Sequence, residues 1–289
     1  MWIADDWKDY LVLDTSDGDK LEKWGKYIFI RPDPQVVWSY KHNEKEWKKA
    51  DGKYIRSAKG GGQWNIYKKD LPEEWTISYK DLKFYVRPTG FKHTGLFPEQ
   101  AVNWDFIRKK IKEAKCPVKV LNLFGYTGGA TVAALSEGAD VCHVDSSKGI
   151  MSWCKKNVEL NGLADKNIRY IVDDAVKFVE REIRRGNKYD AVIMDPPSYG
   201  RGPNGEIWKL EERIYELINL LTNVLSDNPL FFLVNSYTTG FAPTVLYNII
   251  SMTVGRKFGG ITKADEIGIP VKDSPYILPC GSTGRWENK

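Results

Sequence analysis

The feature that most constrains this chain is a regular alternation of apolar strand patterns and helix patterns from residue 118 onward. Five strand patterns lie at residues 118–125, 140–145, 168–174, 189–197 and 230–237. Strands that alternate with helices are joined by right-handed crossovers, so they lie parallel with helices on both faces. The segments 261–270 and 274–287 predict two further strands. The pattern therefore predicts an α/β fold.

Residues 1–90 show a different pattern. Short aromatic or β-branched runs, such as KYIFIRP, WTISYK and LKFYVRP, are separated by Gly, Pro and Asp turns, which is typical of short strands. The tryptophans of this part are Trp2, Trp7, Trp24, Trp38, Trp47, Trp64 and Trp75. We predict a β-rich module at residues 1–90 and an α/β domain at residues 91–289.

Composition narrows the functional class. The formal net charge of +5 is compatible with an anionic partner such as nucleic acid, and equally with a basic enzyme that has no such partner.

The cysteine and histidine spacing predicts neither a disulfide nor a metal site. There is no CxxC pair among Cys116, Cys142, Cys154 and Cys280, and the three histidines lack metal-ligand spacing. The N-terminus lacks a signal-peptide pattern, and no apolar run reaches membrane-span length. We expect a cytoplasmic protein with reduced thiols.

Ligands of open parallel sheets bind beyond the carboxyl ends of the strands. The first such loop, FGYTGG at 124–129, has glycines that allow close backbone approach, although it does not match the G-x-G-x-x-G fingerprint. A structural glycine turn is the alternative. Asp145 follows the second strand, where a carboxylate can accept both ribose hydroxyls or cap the next helix. The acids of DDA, 173–175, suit either an adenine amino group or helix capping.

The fourth strand ends in the motif DPPSYG, which begins at Asp195. Pro196 and Pro197 remove two amide donors and fix the backbone, so the carboxylate and a carbonyl can accept from a planar exocyclic amine. Tyr199 could stack on the base that carries this amine. A rigid loop with an exposed tyrosine is the alternative.

Taken in order, these motifs resemble the class I S-adenosylmethionine-dependent methyltransferases, most closely the branch that methylates bases of large-subunit ribosomal RNA. The matching stretches are LNLFGYTGG, HVDSS, VDDA, DPPSYG, CKKNVELNGL and FKHTGLFPEQ. The resemblance covers about residues 85–285. It implies S-adenosylmethionine as cofactor and a Rossmann-like, seven-stranded sheet, mostly parallel with an antiparallel last strand. Members of this branch often carry a small RNA-binding module where this chain has its β-rich one.

The resemblance also implies residue roles. It places Phe124, Gly125, Tyr126, Thr127 and Gly128 around the methionine part of the cofactor. It places Asp145, Ser146 and Ser147 at the ribose, and Asp173, Asp174 and Ala175 at the adenine. Thr94 and Gly95 match an upstream element that closes over the cofactor. Asp195 would lie near the transferred methyl group, and Asp195, Pro196, Pro197 and Tyr199 would be the catalytic residues.

Two departures from the family pattern bear on the target atom. Members that methylate C5 of a pyrimidine carry a cysteine after the fifth strand, which adds at C6 of the base. The corresponding stretch here, LVNSYTTG at 233–240, has none, and we predict that Cys280 is a structural thiol. Nitrogen is therefore favoured over C5. In addition, Ser198 precedes Tyr199 where amino-methylating enzymes have the aromatic directly after the second proline, which leaves the stacking residue open.

A basic stretch indicates the substrate class. Residues 41–59 contain Lys41, Lys45, Lys48, Lys49, Lys53, Arg56 and Lys59, interleaved with Trp47 and Tyr54. Cations and aromatic rings together hold single-stranded or looped RNA, although a solvated hairpin face is an equal alternative. We also interpret residues 198–208 as a mobile loop that could meet the substrate, with Arg201 as a phosphate contact.

We therefore expect methyl transfer from S-adenosylmethionine to a base of RNA, specifically ribosomal RNA. One alternative is a methyltransferase that acts on a small molecule or protein. A second is an RNA-interaction protein that binds the cofactor without catalysis, which the intact D-P-P motif disfavours. The sequence predicts no oligomeric state.

Overall fold

The structure, a computed structural model, describes residues 1–57, 61–201 and 207–289, without the side chain of Arg201. It comprises two compact units. The N-terminal unit contains Trp2–Val102 and Gly268–Cys280, and the large unit contains Met1, Asn103–Ile267 and Gly281–Lys289. The predicted domain division between residues 90 and 91 stays a prediction.

The N-terminal unit is built from short strands. Its elements are β1 (Trp2–Ile3), β2 (Tyr10–Ser16), β3 (Asp19–Trp24), β4 (Tyr27–Pro32), α1 (Glu44–Trp47), β5 (Gly52–Arg56), β6 (Gly62–Ile66), β7 (Trp75–Tyr79) and β8 (Leu82–Val86). Strands β2 to β6 form one sheet in chain order, in which only β4 and β5 are parallel, and β7 pairs with β8. Asp17 and Gly18 make the β2–β3 turn with φ of 55° and 78°, as a two-residue hairpin turn requires. The predicted β-rich module is confirmed.

A buried ion pair lies inside this sheet. Arg31 donates from Nε and Nη2 to the two carboxylate oxygens of Glu22, at 2.5 and 2.8 Å, and Tyr10 adds a hydroxyl donor at 2.5 Å. Burial by itself would raise the pKa of Glu22, but Arg31 and Lys20 lower it to about 2. The pair is surrounded by aromatic packing, with Tyr10 edge-to-face on Trp24 at 4.7 Å between ring centres.

The large unit alternates helices and strands. Its elements are α2 (Ala101–Glu113), β9 (Lys119–Leu123), α3 (Gly129–Ser136), β10 (Asp140–Asp145), α4 (Lys148–Leu160), β11 (Ile168–Val172), α5 (Ala175–Arg185), β12 (Ala191–Met194), β13 (Tyr199–Arg201), β14 (Ile207–Lys209), α6 (Leu210–Leu221), β15 (Phe231–Ser236), α7 (Pro243–Ile250), α8 (Arg256–Phe258), β16 (Ile261–Pro270) and β17 (Ile277–Glu287). The unit boundary falls within α2, β16 and β17. A π-helical turn at residues 251–255 joins α7 to α8.

Seven strands of this unit follow the order β16-β17-β15-β12-β9-β10-β11. Strands β9, β10, β11, β12 and β15 are parallel, and β17 is antiparallel to β15. The order reverses at β9, because β10 lies on one side of it and β12 on the other. This is the predicted fold class, and it places a topological switch point at the ends of β9 and β12.

Two local features differ from the sequence expectation. Helix α2 was not predicted, although its buried residues Ala101, Trp104, Ile107 and Ile111 repeat at helical spacing. The segment EIWKLEERIYELINLLTNVLS, residues 206–226, predicts a helix, but helix α6 begins at Leu210, because Ile207–Lys209 pairs with Tyr199–Arg201 as antiparallel strands. Each of these strands has three residues, which is too short for a periodic pattern. The predicted contacts at Lys59 and at the Arg201 side chain lie outside the described residues.

No helix within the described ranges combines the length and the apolar character that crossing a bilayer requires.

We predict that Glu22→Gln lowers the free energy of unfolding by about 3–5 kcal/mol, because it leaves the buried Arg31 guanidinium without its counter-charge. Urea denaturation followed by tryptophan fluorescence measures the change. Glu46→Gln is the matched control in the same unit, because Glu46 pairs with the exposed Lys49 and surface pairs contribute little. Equal midpoint shifts for the two variants would contradict the buried pair.

The same carboxylate predicts a dependence on acid. The folded-state pKa of Glu22, about 2, lies below the ordinary value of 4.5. Its contribution to stability is therefore complete above pH 4.5 and is lost as the pH falls toward 2. Unfolding free energies measured across that range should fall less steeply for Glu22→Gln than for the unmodified protein.

Candidate active site

The carboxyl ends of four adjacent strands meet at one edge of the large unit's sheet. Gly125 N, after β9, donates to Val144 O of β10 at 3.0 Å, and Asp173 N, after β11, donates to Asp145 O at 3.1 Å. Asp195 N, after β12, donates to Leu123 O of β9 at 3.4 Å. The structure thus brings the predicted loops after β9, β10, β11 and β12 together.

The loop after β9 packs closely against β10 and α4. Phe124 and Tyr126 adopt positive φ, 56° and 51°, which side chains rarely do without strain. A Cβ on Gly125 would stand 2.4 Å from His143 Cε1, and one on Gly128 would stand 2.5 Å from Cys154 Sγ. Both positions therefore require glycine for packing, whatever the loop binds.

A buried polar cluster lies under this loop, and the sequence analysis did not single it out. His143 Nδ1 lies 2.8 Å from Thr131 Oγ1, which also accepts from Asn122 Nδ2 at 2.9 Å. Burial lowers the pKa of His143 to about 4, so the imidazole is neutral near pH 7. From α4, Asn157 Nδ2 donates to Thr127 O at 2.8 Å. The cluster packs beneath the loop and supports it. Its members could have been found in the sequence as polar residues within otherwise apolar strands and helices.

Asp145 joins the loop to the start of α4. Its carboxylate accepts from Tyr126 N at 3.0 Å and from Ser147 N at 2.9 Å. Burial raises its pKa. The cap of α4 is Ser147, whose Oγ accepts from Ile150 N, so Asp145 is not the N-cap that the alternative proposed. Each carboxylate oxygen can accept a further hydrogen bond, which fits the hydroxyls of a ribose. Ser146 is exposed beside it.

The acids after β11 are partly engaged in local structure. Asp174 is the N-cap of α5 and accepts from Lys177 N at 2.9 Å, which is the capping alternative. Asp173 pairs with Arg181 and accepts from Asp174 N at 2.8 Å. Ala175 is buried at the first turn of the helix. The predicted adenine contact of these three residues stays a prediction.

The turn after β12 is tethered by partners that the sequence analysis missed. Trp208 Nε1 donates to Pro197 O at 2.7 Å, and its ring lies 5.8 Å from that of Phe124. Thr238 Oγ1 donates to Ser198 Oγ at 2.8 Å. Ser198, the residue that departs from the family motif, thus ties the turn to the end of β15. No signal in the sequence links Trp208 or Thr238 to the turn, because the first contact depends on the pairing of two three-residue strands and the second spans 40 residues of the chain.

The two sides of this turn differ in exposure. Asp195 is half-buried and Pro196 is buried, whereas Pro197 is exposed. Tyr199 lies on β13 with 51% of its surface exposed, so its ring can be reached from solvent. A carboxylate, a fixed turn and an accessible ring therefore lie in sequence at the switch point.

The remaining predicted site residues lie in the N-terminal unit. Thr94 is buried, and its Oγ1 has no hydrogen-bond partner among the described residues. Its carbonyl accepts from Arg87 N at 3.0 Å, and Gly95 has φ of 95°. A role for Thr94 and Gly95 at the cofactor stays a prediction. Within the described ranges there is no group of three or more His, Cys, Asp or Glu side chains that could hold a metal ion.

Comparisons with known proteins agree with this geometry. A solved SAM-dependent methyltransferase from Agrobacterium tumefaciens is 35% identical, with a TM-score of 0.92 over 98% of this chain and 91% of that one. SMU.776, a methyltransferase crystallised with SAH, is 19% identical with a TM-score of 0.74 over 97% of this chain and 76% of that one, so it supports the fold alone.

A curated relative is the ribosomal RNA large subunit methyltransferase K of Neisseria meningitidis, 31% identical over 163 residues. The match covers 55% of this chain and 45% of that protein, so the chain spans less than half the length of this relative. The family model described as S-adenosylmethionine-dependent methyltransferase matches residues 59–226, which is more than half of the chain. Together with the sheet order and the near-complete overlap with a solved member, this match means that the chain belongs to the S-adenosylmethionine-dependent methyltransferases.

Proposed function

We propose that this chain transfers a methyl group from S-adenosylmethionine to a base of RNA, specifically ribosomal RNA, at nitrogen in preference to C5. The observation that carries the proposal is the Asp195–Pro196–Pro197 turn at the switch point beside the glycine loop. Relatives named as ribosomal RNA large subunit methyltransferases support an RNA substrate. Because the chain spans only part of those relatives, the substrate is part of the proposal.

In this proposal the cofactor residues are those predicted from the motifs. The backbone of Phe124–Gly128 surrounds the methionine part, and Asp145 accepts the ribose hydroxyls. Asp173 to Ala175 meet the adenine, and Thr94 with Gly95 close over the cofactor. Residues 1–90 serve as the substrate module of a catalytic domain at residues 91–289.

The chain's own residues mainly place the reacting groups. S-adenosylmethionine, when bound, would supply an electrophilic methyl group to the base nitrogen, with the thioether as the leaving group and with loss of one proton from the amine. The Asp195 carboxylate accepts hydrogen bonds from an exocyclic amine and so favours the geometry in which the nitrogen lone pair points out of the ring plane. The contacts of Trp208 to Pro197 and of Thr238 to Ser198 hold the turn in place beforehand, which lowers the entropic cost of orientation.

The end of β15 supports nitrogen as the target. Asn235 occupies this strand end, where its Oδ1 accepts from Asn103 Nδ2 at 2.9 Å and from Thr283 Oγ1 at 2.5 Å. A buried amide committed to neighbours offers no nucleophile for addition to a pyrimidine ring. Burial raises the pKa of Cys280 well above its ordinary value, so that thiol stays protonated and unreactive.

The decisive test is the transfer of tritiated methyl from S-adenosylmethionine to RNA from cells that lack this enzyme, followed by nucleoside analysis. Label in a methylated base of ribosomal RNA is expected. Label in a protein or small-molecule fraction, with none in RNA, would establish the alternative substrate class. Cofactor binding without label in any fraction would favour a non-catalytic RNA-interaction protein.

We predict that Asp195→Ala lowers the transfer rate by about 10²–10³-fold or more, because a preorganised acceptor at the reacting amine is lost. Cofactor binding, measured by isothermal titration calorimetry, should largely survive. Asp165→Ala, an exposed acid of the same unit, is the control and should alter neither quantity. Full transfer by Asp195→Ala would remove Asp195 from the mechanism.

Asp145→Asn should raise the dissociation constant for the cofactor by about 12- to 150-fold, because a hydrogen bond to a charged acceptor contributes about 1.5–3 kcal/mol. Asp140→Asn, at the opposite end of the same strand, is the matched control. Equal affinities for the two variants would show that Asp145 is structural only.

Cys280→Ser should leave RNA methylation intact, because the thiol takes no part in nitrogen chemistry. Single-turnover transfer measures this directly. An inactive Cys280→Ser protein that still binds cofactor would instead indicate C5 chemistry with Cys280 as the attacking thiol.

A further inference from the structure

Three lysines of the basic stretch at residues 41–59 are paired with carboxylates of the N-terminal unit. Lys53 pairs with Asp19 at 2.7 Å, Lys49 with Glu46 at 2.5 Å and Lys41 with Asp17 at 3.8 Å. A lysine that binds a phosphate must first leave the carboxylate with which it is paired. These three paired lysines are therefore weaker candidates for a phosphate contact than Arg56 of the same stretch, which has no ion pair within the described ranges.

Lys92 is a half-buried cation of this unit for which a bound anion would be favourable. Its ammonium makes no hydrogen bond or ion pair with any residue that the structure describes. Burial, then Lys20 and Arg56, lower its pKa, and Asp33 only partly offsets them. Asp33 is itself engaged by Lys20 at 3.1 Å.

Glu22, the other carboxylate near Lys92, is also in an ion pair. Glu22 accepts both arms of the Arg31 guanidinium, and Arg31 Nη1 donates to the carbonyl of Lys92 at 3.0 Å. The neighbouring His93 is neutral, because burial and then Arg31 and Lys92 lower its pKa to about 3. A surplus of positive charge is thus built around Lys92.

Two further side chains complete this surface. Arg56, at the end of β5, is exposed and has no ion pair within the described ranges. Phe91 has 69% of its surface exposed. Its backbone is held in place, because its carbonyl accepts from Trp64 Nε1 at 3.1 Å and its amide donates to Thr89 Oγ1 at 3.2 Å. An exposed aromatic ring on a fixed backbone loses little entropy when it stacks.

We propose that Lys92, Arg56 and Phe91 form a contact surface for single-stranded RNA, in which the two cations bind backbone phosphates and the phenyl ring stacks on a base. This inference rests on the proposed function, because it names the surface by which the N-terminal unit holds the RNA substrate. Two cations and an exposed ring in the same unit match a strand that offers both phosphates and planar bases. An acidic polypeptide would use the cations but leave the ring without a partner.

The test measures binding of a labelled 20-nucleotide single-stranded RNA to the full chain by fluorescence anisotropy at several salt concentrations. Lys92→Gln and Arg56→Gln should weaken binding, and each should lower the slope of log affinity against log salt by about 0.7. Phe91→Ala should weaken binding by about 5- to 150-fold with an unchanged slope, because stacking contributes about 1–3 kcal/mol per base.

Matched controls come from the same sheet of the N-terminal unit, at sites distant from the proposed surface along its strands. Lys26→Gln removes an exposed charge in the β3–β4 turn, at the other end of these strands from Lys20 and Arg31. Tyr67→Ala removes a ring with 56% exposure that follows β6, at the other end of that strand from the residue paired with Arg56. Both should bind RNA as the unmodified chain does. Urea denaturation followed by tryptophan fluorescence, measured on every variant, confirms that each one is folded.

Three outcomes would overturn the inference. If the unmodified chain methylates RNA while the surface variants bind like the controls, the surface is wrong and the proposed function stands. If polyglutamate binds as tightly as RNA and Phe91→Ala has no effect on either, the surface is a general anion contact. If the unmodified chain neither binds nor methylates RNA, the proposed function fails and the inference fails with it.

Discussion

The close approach of the loop after β9 to β10 and α4 is the constraint on which the candidate site depends. No side chain fits at Gly125 or Gly128, because a Cβ there would meet His143 or Cys154 within 2.6 Å. Since the loop lies this close, the Tyr126 amide reaches the Asp145 carboxylate and the Asn157 side chain reaches the Thr127 carbonyl. Two glycines thus position the loop, the carboxylate and the start of α4 as one body.

Charge organises the N-terminal unit in a comparable way. Glu22 is buried with Arg31 in a bidentate pair, and the same carboxylate accepts from Tyr10. Because Glu22 and Asp33 are paired with Arg31 and Lys20, Lys92 has no ion-pair partner among the described residues. A cation that burial and its neighbours already destabilise gains more from an external phosphate than a solvated lysine does. The ion pairs that stabilise the fold therefore also define where an anion is favoured.

Much of the fold could be predicted, because strand and helix periodicities are local properties. The alternation after residue 118 predicted five parallel strands, which the structure places at 119–123, 140–145, 168–172, 191–194 and 231–236. The β13–β14 hairpin could not be predicted, since its two short strands are defined by pairing with each other across the chain. The role of Asp174 could not be predicted from the sequence. An adenine contact and a helix cap both require an acid at this position, and only the geometry identifies Asp174 as a cap.

By itself, the sequence determined the succession of strands and helices along the chain, the glycine turn and the rigid Asp195–Pro196–Pro197 segment, because steric and hydrogen-bonding limits of single residues act within a few positions of the chain. Only the tertiary structure decided that Ser198 is bound by Thr238, that Trp208 donates to Pro197, and that His143 supports the glycine loop. It also decided which lysines are paired and which are not. These outcomes depend on contacts between residues far apart in the chain, where a side chain's chemistry is set by its neighbours in space.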